Sequence, residues 1–191
     1  MLYGIVTDQN NIPYENALVE VKGEDFVTRF SAVTDQNGRY SIALPDGIYP
    51  FLTAVKDYAQ TCLECWAHNV PVKGDTRLDL RFEALEIYGL NVFRVKGGFP
   101  SLHLYFRPMS LAKFHAGESD IAPELDQIRV YIDGTAAEVL TQNKVREYAG
   151  DRMMTAYLIQ VSLPEGCTDW RRIDAEITDM DGHFGMATIF A

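Results

Sequence analysis

Residues 32–47 read AVTDQNGRYSIALPDG. Apolar and polar residues alternate on both sides of an Asn-Gly pair, and Leu-Pro-Asp-Gly closes the stretch. Alternation with a period of two is the mark of a half-buried strand. Asn-Gly and Asp-Gly supply the positive φ that tight hairpins require. The pentapeptide VTDQN at 33–37 also occurs at 6–10, and a cousin, ITDMDG, occupies 177–182. The first copy leads into NIPYENALVEV and the second into GRYSIALPDG, so the repeat is not an internal duplication. Each copy ends a strand with β-branched residues and then offers Asp and Asn for turn hydrogen bonds.

Outward from this stretch the same grammar continues. Candidate strands in the first half are Leu2–Thr7, Ala17–Lys22, Phe26–Thr34, Arg39–Leu44, Ile48–Val55, Ala59–Ala67 and Thr76–Phe82. In the second half they are Leu85–Val95, Ser101–Arg107, Gln127–Asp133, Ala137–Leu140, Thr155–Leu163, Arg172–Thr178 and Phe184–Phe190. That is too many strands for one small sheet, and two consecutive β-sandwiches are the natural solution. The boundary is expected near Phe82–Glu86 with almost no linker. Pro108 to Asp126 is a long excursion whose Leu111, Phe114, Ile121 and Leu125 predict docking on the sandwich, with a helical turn at Ser110–His115.

Composition bounds the function. Of 191 residues, 47% are hydrophobic and 23% charged, enough apolar surface for a sizeable core. A formal net charge of −10 argues against nucleic acid, whose phosphates need clustered Lys and Arg, and against general attraction to an anionic membrane. No apolar run reaches membrane-spanning length, so no membrane insertion is expected. The N-terminus enters a strand pattern without a signal-peptide core. As written the chain reads as cytoplasmic, and as secreted or surface-borne if a leader has been removed. Cys62, Cys65 and Cys167 are too few for a disulfide framework.

The first half also carries a family pattern. G-I-V-T-D is followed by I-P-Y-E-N-A-L-V-E-V, then V-T-D-Q-N-G-R-Y-S-I-A-L-P-D-G-I-Y, then K-D-Y-A. Over residues 3–82 this resembles the carboxypeptidase regulatory-like domain, a transthyretin-like (prealbumin-like) sandwich. Asn11 and Asp57 stand where the family favours Gly, and both tolerate the left-handed region. The resemblance implies an interaction or structural module with no catalytic residues of its own. The hydroxyisourate-hydrolysing branch ends in Tyr-Arg-Gly-Ser, whereas this chain ends in Thr-Ile-Phe-Ala. The second half resembles no family beyond a generic immunoglobulin-like sandwich.

The constellations that could carry chemistry are few. Cys62-Leu-Glu-Cys65-Trp-Ala-His68 offers three metal-ligand types where zinc wants four, and on a strand Cys62 and Cys65 face opposite ways. The favoured reading is two ordinary buried cysteines, with no metal and no cofactor. Asp179-Met-Asp181-Gly182 is a fragment of a calcium loop and is more economically a turn. No nucleophile elbow, phosphate loop or zinc-protease motif occurs.

Alternation places His103, Tyr105 and Arg107 outward on one strand, and Arg129 and Tyr131 outward on another. If the two strands pair, they form a patch of aromatic and cationic side chains beside the 108–126 loop and its His115. The expectation is an all-β protein, 1–83 prealbumin-like and 84–191 immunoglobulin-like, acting as a non-catalytic module for a protein or carbohydrate through that patch. The alternatives are a domain of a carbohydrate-active enzyme, with carboxylates near the long loop, and a structural spacer.

Overall fold

The computed structural model of the protein describes residues 1–191, which form sixteen strands and one short helix. One long sheet runs through the molecule in the order β12–β11–β15–β16–β6–β5–β2–β3. Its second-half members are β12 (Thr135–Ala137), β11 (Leu125–Ile132), β15 (Arg172–Asp179) and β16 (Phe184–Phe190). Its first-half members are β6 (Cys65–Val72), β5 (Gly47–Val55), β2 (Leu18–Lys22) and β3 (Thr28–Val33). Neighbours within each half are antiparallel, and β16 joins the halves by pairing parallel to β6, Ala187 opposite Trp66. A small sheet places β1 (Leu2–Thr7) between β4 (Arg39–Ile42) and the short β7 (Thr76–Arg77) and β8 (Leu80–Arg81). Another has the order β13–β14–β10–β9, with β13 (Val139–Ala149), β14 (Arg152–Ser162), β10 (Ser101–Ser110) and β9 (Leu85–Phe93).

The two cores lie on opposite faces of the long sheet. One cluster joins Val19, Val21, Leu52, Ala54, Cys65, Ala67, Phe184 and Met186 to Leu2, Val6, Tyr40, Leu80 and Phe82 of the β1 sheet. The other joins Trp66, Ala187, Ile173, Ala175, Val130 and Ile132 to Leu85, Ile87, Leu104, Phe106, Tyr157 and Ile159 of the β10 sheet. The period of two explains this: in β6, Cys65 and Ala67 turn one way and Trp66 the other, and in β16 Met186 and Ala187 part likewise. Each sandwich therefore covers only one face of its own half of the long sheet. The other sandwich's outer sheet reaches over part of the opposite face, Tyr88 of β9 against Trp66 and Arg81 of β8 against Glu176.

The repeated turn is the same object each time. Asp8 Oδ1 accepts from the N–H groups of Asn10 and Ile12 at 2.8 Å each. Asp35 Oδ1 accepts from Asn37 (2.8 Å) and Arg39 (2.9 Å), and Asp179 Oδ1 from Asp181 (3.0 Å) and His183 (2.9 Å). In every case the N–H three residues on also returns to the Asp carbonyl, from Asn11, Gly38 and Gly182. Those three residues have φ of 63°, 71° and 83°. Asp57, the other family departure, is left-handed too at φ 48°.

Several expectations shift. The strand expected over 59–67 begins at Cys65, because Asp57 and Ala59 are both left-handed and form a turn. Thr141–Met154, not expected as strand, completes the long β13–β14 hairpin. The excursion after Pro108 does contain a helical turn, α1 (Leu111–His115), with Ser110 accepting from the Lys113 N–H. No helix is long and apolar enough to cross a membrane.

Candidate functional site

The alternation expected of β10 holds. Leu102, Leu104 and Phe106 are buried, and His103, Tyr105 and Arg107 are half-buried on the outer face. Val130 and Ile132 are buried in β11. The pairing of these two strands, however, is not what forms. β10 lies between β9 and β14, whereas β11 lies between β12 and β15. The 111–124 segment carries the chain from one layer to the other, so Arg129 and Tyr131 belong to the opposite sheet. Arg129 is engaged with Gln127 Oε1 (2.8 Å) and Glu176 (3.8 Å). Glu176 also pairs with Arg81. The single five-residue patch thus becomes two separate groups.

The remaining candidates have structural surroundings. His115 Nε2 meets the Ala59 carbonyl at 2.9 Å and ties the long loop to the first half. The loop's carboxylates are engaged as well, Glu118 with Lys113 at 2.6 Å and Asp120 with Thr155 Oγ1 at 2.7 Å. Cys62 and Cys65 are both buried in the first core, and burial pushes the Cys65 thiol up to about 12. His68 points to the other face of β6, stacked on Trp66 with centroids 6.1 Å apart, so Cys65 and His68 do not converge. Asp179, Asp181 and His183 bring ligand atoms within 4.8 Å of one another, but Asp179 spends its oxygens on the turn and on His183 Nδ1 (3.0 Å).

The concentration of unusual features is the corner where β9 passes over β6. Phe51, Trp66 and His68 lie on the face of the first half opposite its own core, Trp66 buried and the other two half-buried, and Tyr88 of β9 faces them. Trp66 meets Tyr88 edge-on at 5.9 Å and Phe51 edge-on at 5.9 Å. Over them lies Phe26, stacked on Phe51 at 4.8 Å and 54% exposed. With Gly89, Leu90 and Asn91 these rings line one cleft. Arg107 lies 4.7 Å over the Tyr88 ring, which makes the cleft continuous with the outward face of β10 predicted from sequence. Lys22 Nζ sits 5.4 Å over Trp66.

Phe26 occupies a turn position that Asn or Gly holds elsewhere in the chain. Gly23 donates to the Val27 carbonyl (3.0 Å), Phe26 donates to the Gly23 carbonyl (2.9 Å), and the Val27 N–H reaches Asp25 Oδ1 (3.1 Å). This is the backbone pattern of the three Asp turns, with Phe26 in the slot that Asn11, Gly38 and Gly182 fill. Its φ is 59°. A bulky side chain there costs about 1–2 kcal/mol relative to a right-handed position, whereas Gly is free of it.

The electrostatics beneath the rings are equally unusual. Glu86 is 1% exposed, its Oε1 accepts from Trp66 Nε1 at 2.8 Å, and its Oε2 has no partner. Burial raises its carboxyl to about 8, against a smaller opposing effect of the Trp66 bond. Burial likewise raises Glu64, countered by Lys22, and lowers His68 to about 4. His68 is therefore neutral at pH 7, with a buried Nε2 left unpartnered. The site offers ring faces, a neutral imidazole and an amide (Asn91), the equipment for stacking and hydrogen bonding. Sequence reading placed Arg107 on the outward face of β10, which borders this cleft, but missed Phe26, Phe51 and Tyr88. The one legible signal was an aromatic residue in the turn Gly-Glu-Asp-Phe.

Residues 1–83 match the family model of the carboxypeptidase regulatory-like domain, the family whose pattern the first half resembles. The match covers 83 of the 191 residues, and its extent coincides with the first-half strands β1–β8. No curated protein matches the chain. Among solved structures, a DUF3823 family protein of Bacteroides ovatus aligns over 99% of this chain and 97% of its own, at 9% identity and TM-score 0.33. The major pilin subunit of Bacillus cereus aligns over 98% of this chain and 66% of its own, at 12% identity and TM-score 0.33. A Bacteroides uniformis protein provisionally described as carbohydrate binding aligns over 100% and 98%, at 12% identity and TM-score 0.35.

Proposed function

We propose that the chain is a non-catalytic carbohydrate-binding module whose site is the aromatic corner between the two sandwiches. The observation that supports this best is Phe26, a large exposed ring held in a left-handed turn slot where Asn or Gly would be easier. Exposed ring faces pack against the C–H face of a pyranose, and the neutral His68 and Asn91 suit hydroxyl groups. The wall formed by Tyr88, Arg107, Tyr105 and His103 extends the surface along β10 for further sugar units. The −10 charge of the chain fits a neutral or cationic glycan better than a polyanionic one.

The test is a glycan array with the full chain, followed by calorimetry on the best ligand. Phe26→Ala and Tyr88→Ala should each weaken binding by roughly 1–2 kcal/mol, the scale of losing one ring contact. Failure of every glycan to bind, or equal binding by both variants, would sink the proposal. A carbohydrate-active enzyme subunit is the competing reading, and turnover of the bound glycan by the purified chain would establish it.

A further inference from the structure

At the outer end of the β9–β10 hairpin the chain reads Phe93-Arg94-Val95-Lys96-Gly97-Gly98-Phe99. Phe93, Val95 and Phe99 are 46%, 50% and 66% exposed. Single exposed apolar residues are ordinary, but three of them within one turn need an explanation. The turn is closed by one backbone hydrogen bond, Gly98 donating to the Val95 carbonyl at 3.1 Å, and Gly97 takes φ 76°. The ring of Phe93 stacks on His103 at 5.2 Å. Arg94 and Lys96 alternate with these residues, and neither belongs to any ion pair of the molecule. Arg94 donates instead to the Thr168 carbonyl at 2.9 Å, which places the loop bearing Trp170 beside the tip.

We propose that this hairpin tip docks on an anionic phospholipid bilayer. Exposed apolar side chains at the hairpin tip, interleaved with two cations that make no ion pair, suit the headgroup boundary: Val95 and Phe99 enter the acyl region while Lys96, and Arg94 through the donors its Thr168 bond leaves over, meet lipid phosphates. A stable protein interface asks for roughly 800 Å² from each partner, far more than one hairpin turn presents. The overall negative charge does not prevent this contact, since charges beyond about 8–10 Å are screened at physiological salt. The nearby Glu165 and Asp169 set a limit on its strength, so docking is reversible and salt-sensitive. Phe93 touches His103 at the end of the proposed glycan wall, but Arg94, Val95, Lys96 and Phe99 are not part of that wall, and the inference does not depend on the glycan reading.

The full chain is sedimented with vesicles of phosphatidylcholine alone and of phosphatidylcholine with about a third phosphatidylglycerol. Binding is expected to the mixed vesicles and to fall with salt. The double variant Val95→Ser/Phe99→Ser should lose at least about tenfold in partitioning, and Arg94→Gln/Lys96→Gln should lose the preference for the anionic lipid. Brominated lipid should quench the emission of Trp170 in the bound protein, a signal absent from Trp170→Phe. No association with either vesicle, or equal association of wild type and the serine variant, overturns the proposal. Capture of one defined protein partner by the tip, with both vesicles ignored, overturns it as well.

Discussion

Phe26 and Glu86 are each the wrong residue for their place if stability were the only criterion. Phe26→Gly removes a stacked ring but also the left-handed strain, so it should leave the melting temperature unchanged or higher while weakening glycan binding as Phe26→Ala does. Thermal denaturation beside calorimetry reads both at once, and a melting temperature several degrees lower would show that Phe26 is there for packing. Glu86 adds a pH term. Its folded-state carboxyl titrates near 8 against an ordinary value near 4.5, so between those values the folded state holds a proton that the unfolded state has released. Stability from this group is present below about 4.5 and falls as pH rises toward 8. Glu86→Gln should remove that fall, gaining roughly 2 kcal/mol at pH 8.5 and little at pH 4.5, measured by urea unfolding at each pH. Neither feature was legible in the sequence. A Phe in a turn and a Glu beginning a strand are ordinary until the fold stacks one on Phe51 and buries the other behind Trp66.

At the scale of elements, local chemistry was readable and partnership was not. The Asp turns at 8, 35 and 179 follow from VTDQN and ITDMDG because their hydrogen bonds close within five residues. The inward faces of β10 and β11 follow from strict alternation. That β10 and β11 lie in different sheets does not, because a period of two assigns a face without naming a neighbour. The parallel pairing of β16 with β6 was equally hidden, being a contact between strands far apart in the chain. It brings Gly185 against β9, where an added Cβ would lie 2.4 Å from the Leu85 carbonyl oxygen. Gly185→Ala must push β9 off the long sheet, and a loss of about 2–3 kcal/mol is expected in equilibrium unfolding. A neutral result would mean that β9 can shift freely at this crossing.

For the whole molecule, the two sandwiches share their middle strands and hold each other's cores closed. Phe184 and Met186 complete the core of residues 1–83, and Trp66 completes the core of 84–191. We propose that the boundary near residue 83 marks a family domain without marking an independent folding unit. A fragment of residues 1–83 should show little cooperative unfolding, and the intact chain should melt in one calorimetric transition. Two resolved transitions, or a fragment as stable as the whole, would separate the units. The binding corner depends on the same sharing, since its floor comes from β5 and β6 and its wall from β9.

The parallel seam has a consequence in time. During synthesis β6 leaves the ribosome long before β16, a lag on the order of ten seconds at ordinary translation rates. Throughout that interval the first half carries an unpaired strand edge and a core lacking two large side chains. A nascent chain in this state is a natural client for chaperones and a poor candidate for early release, and maturation waits on the arrival of one late strand.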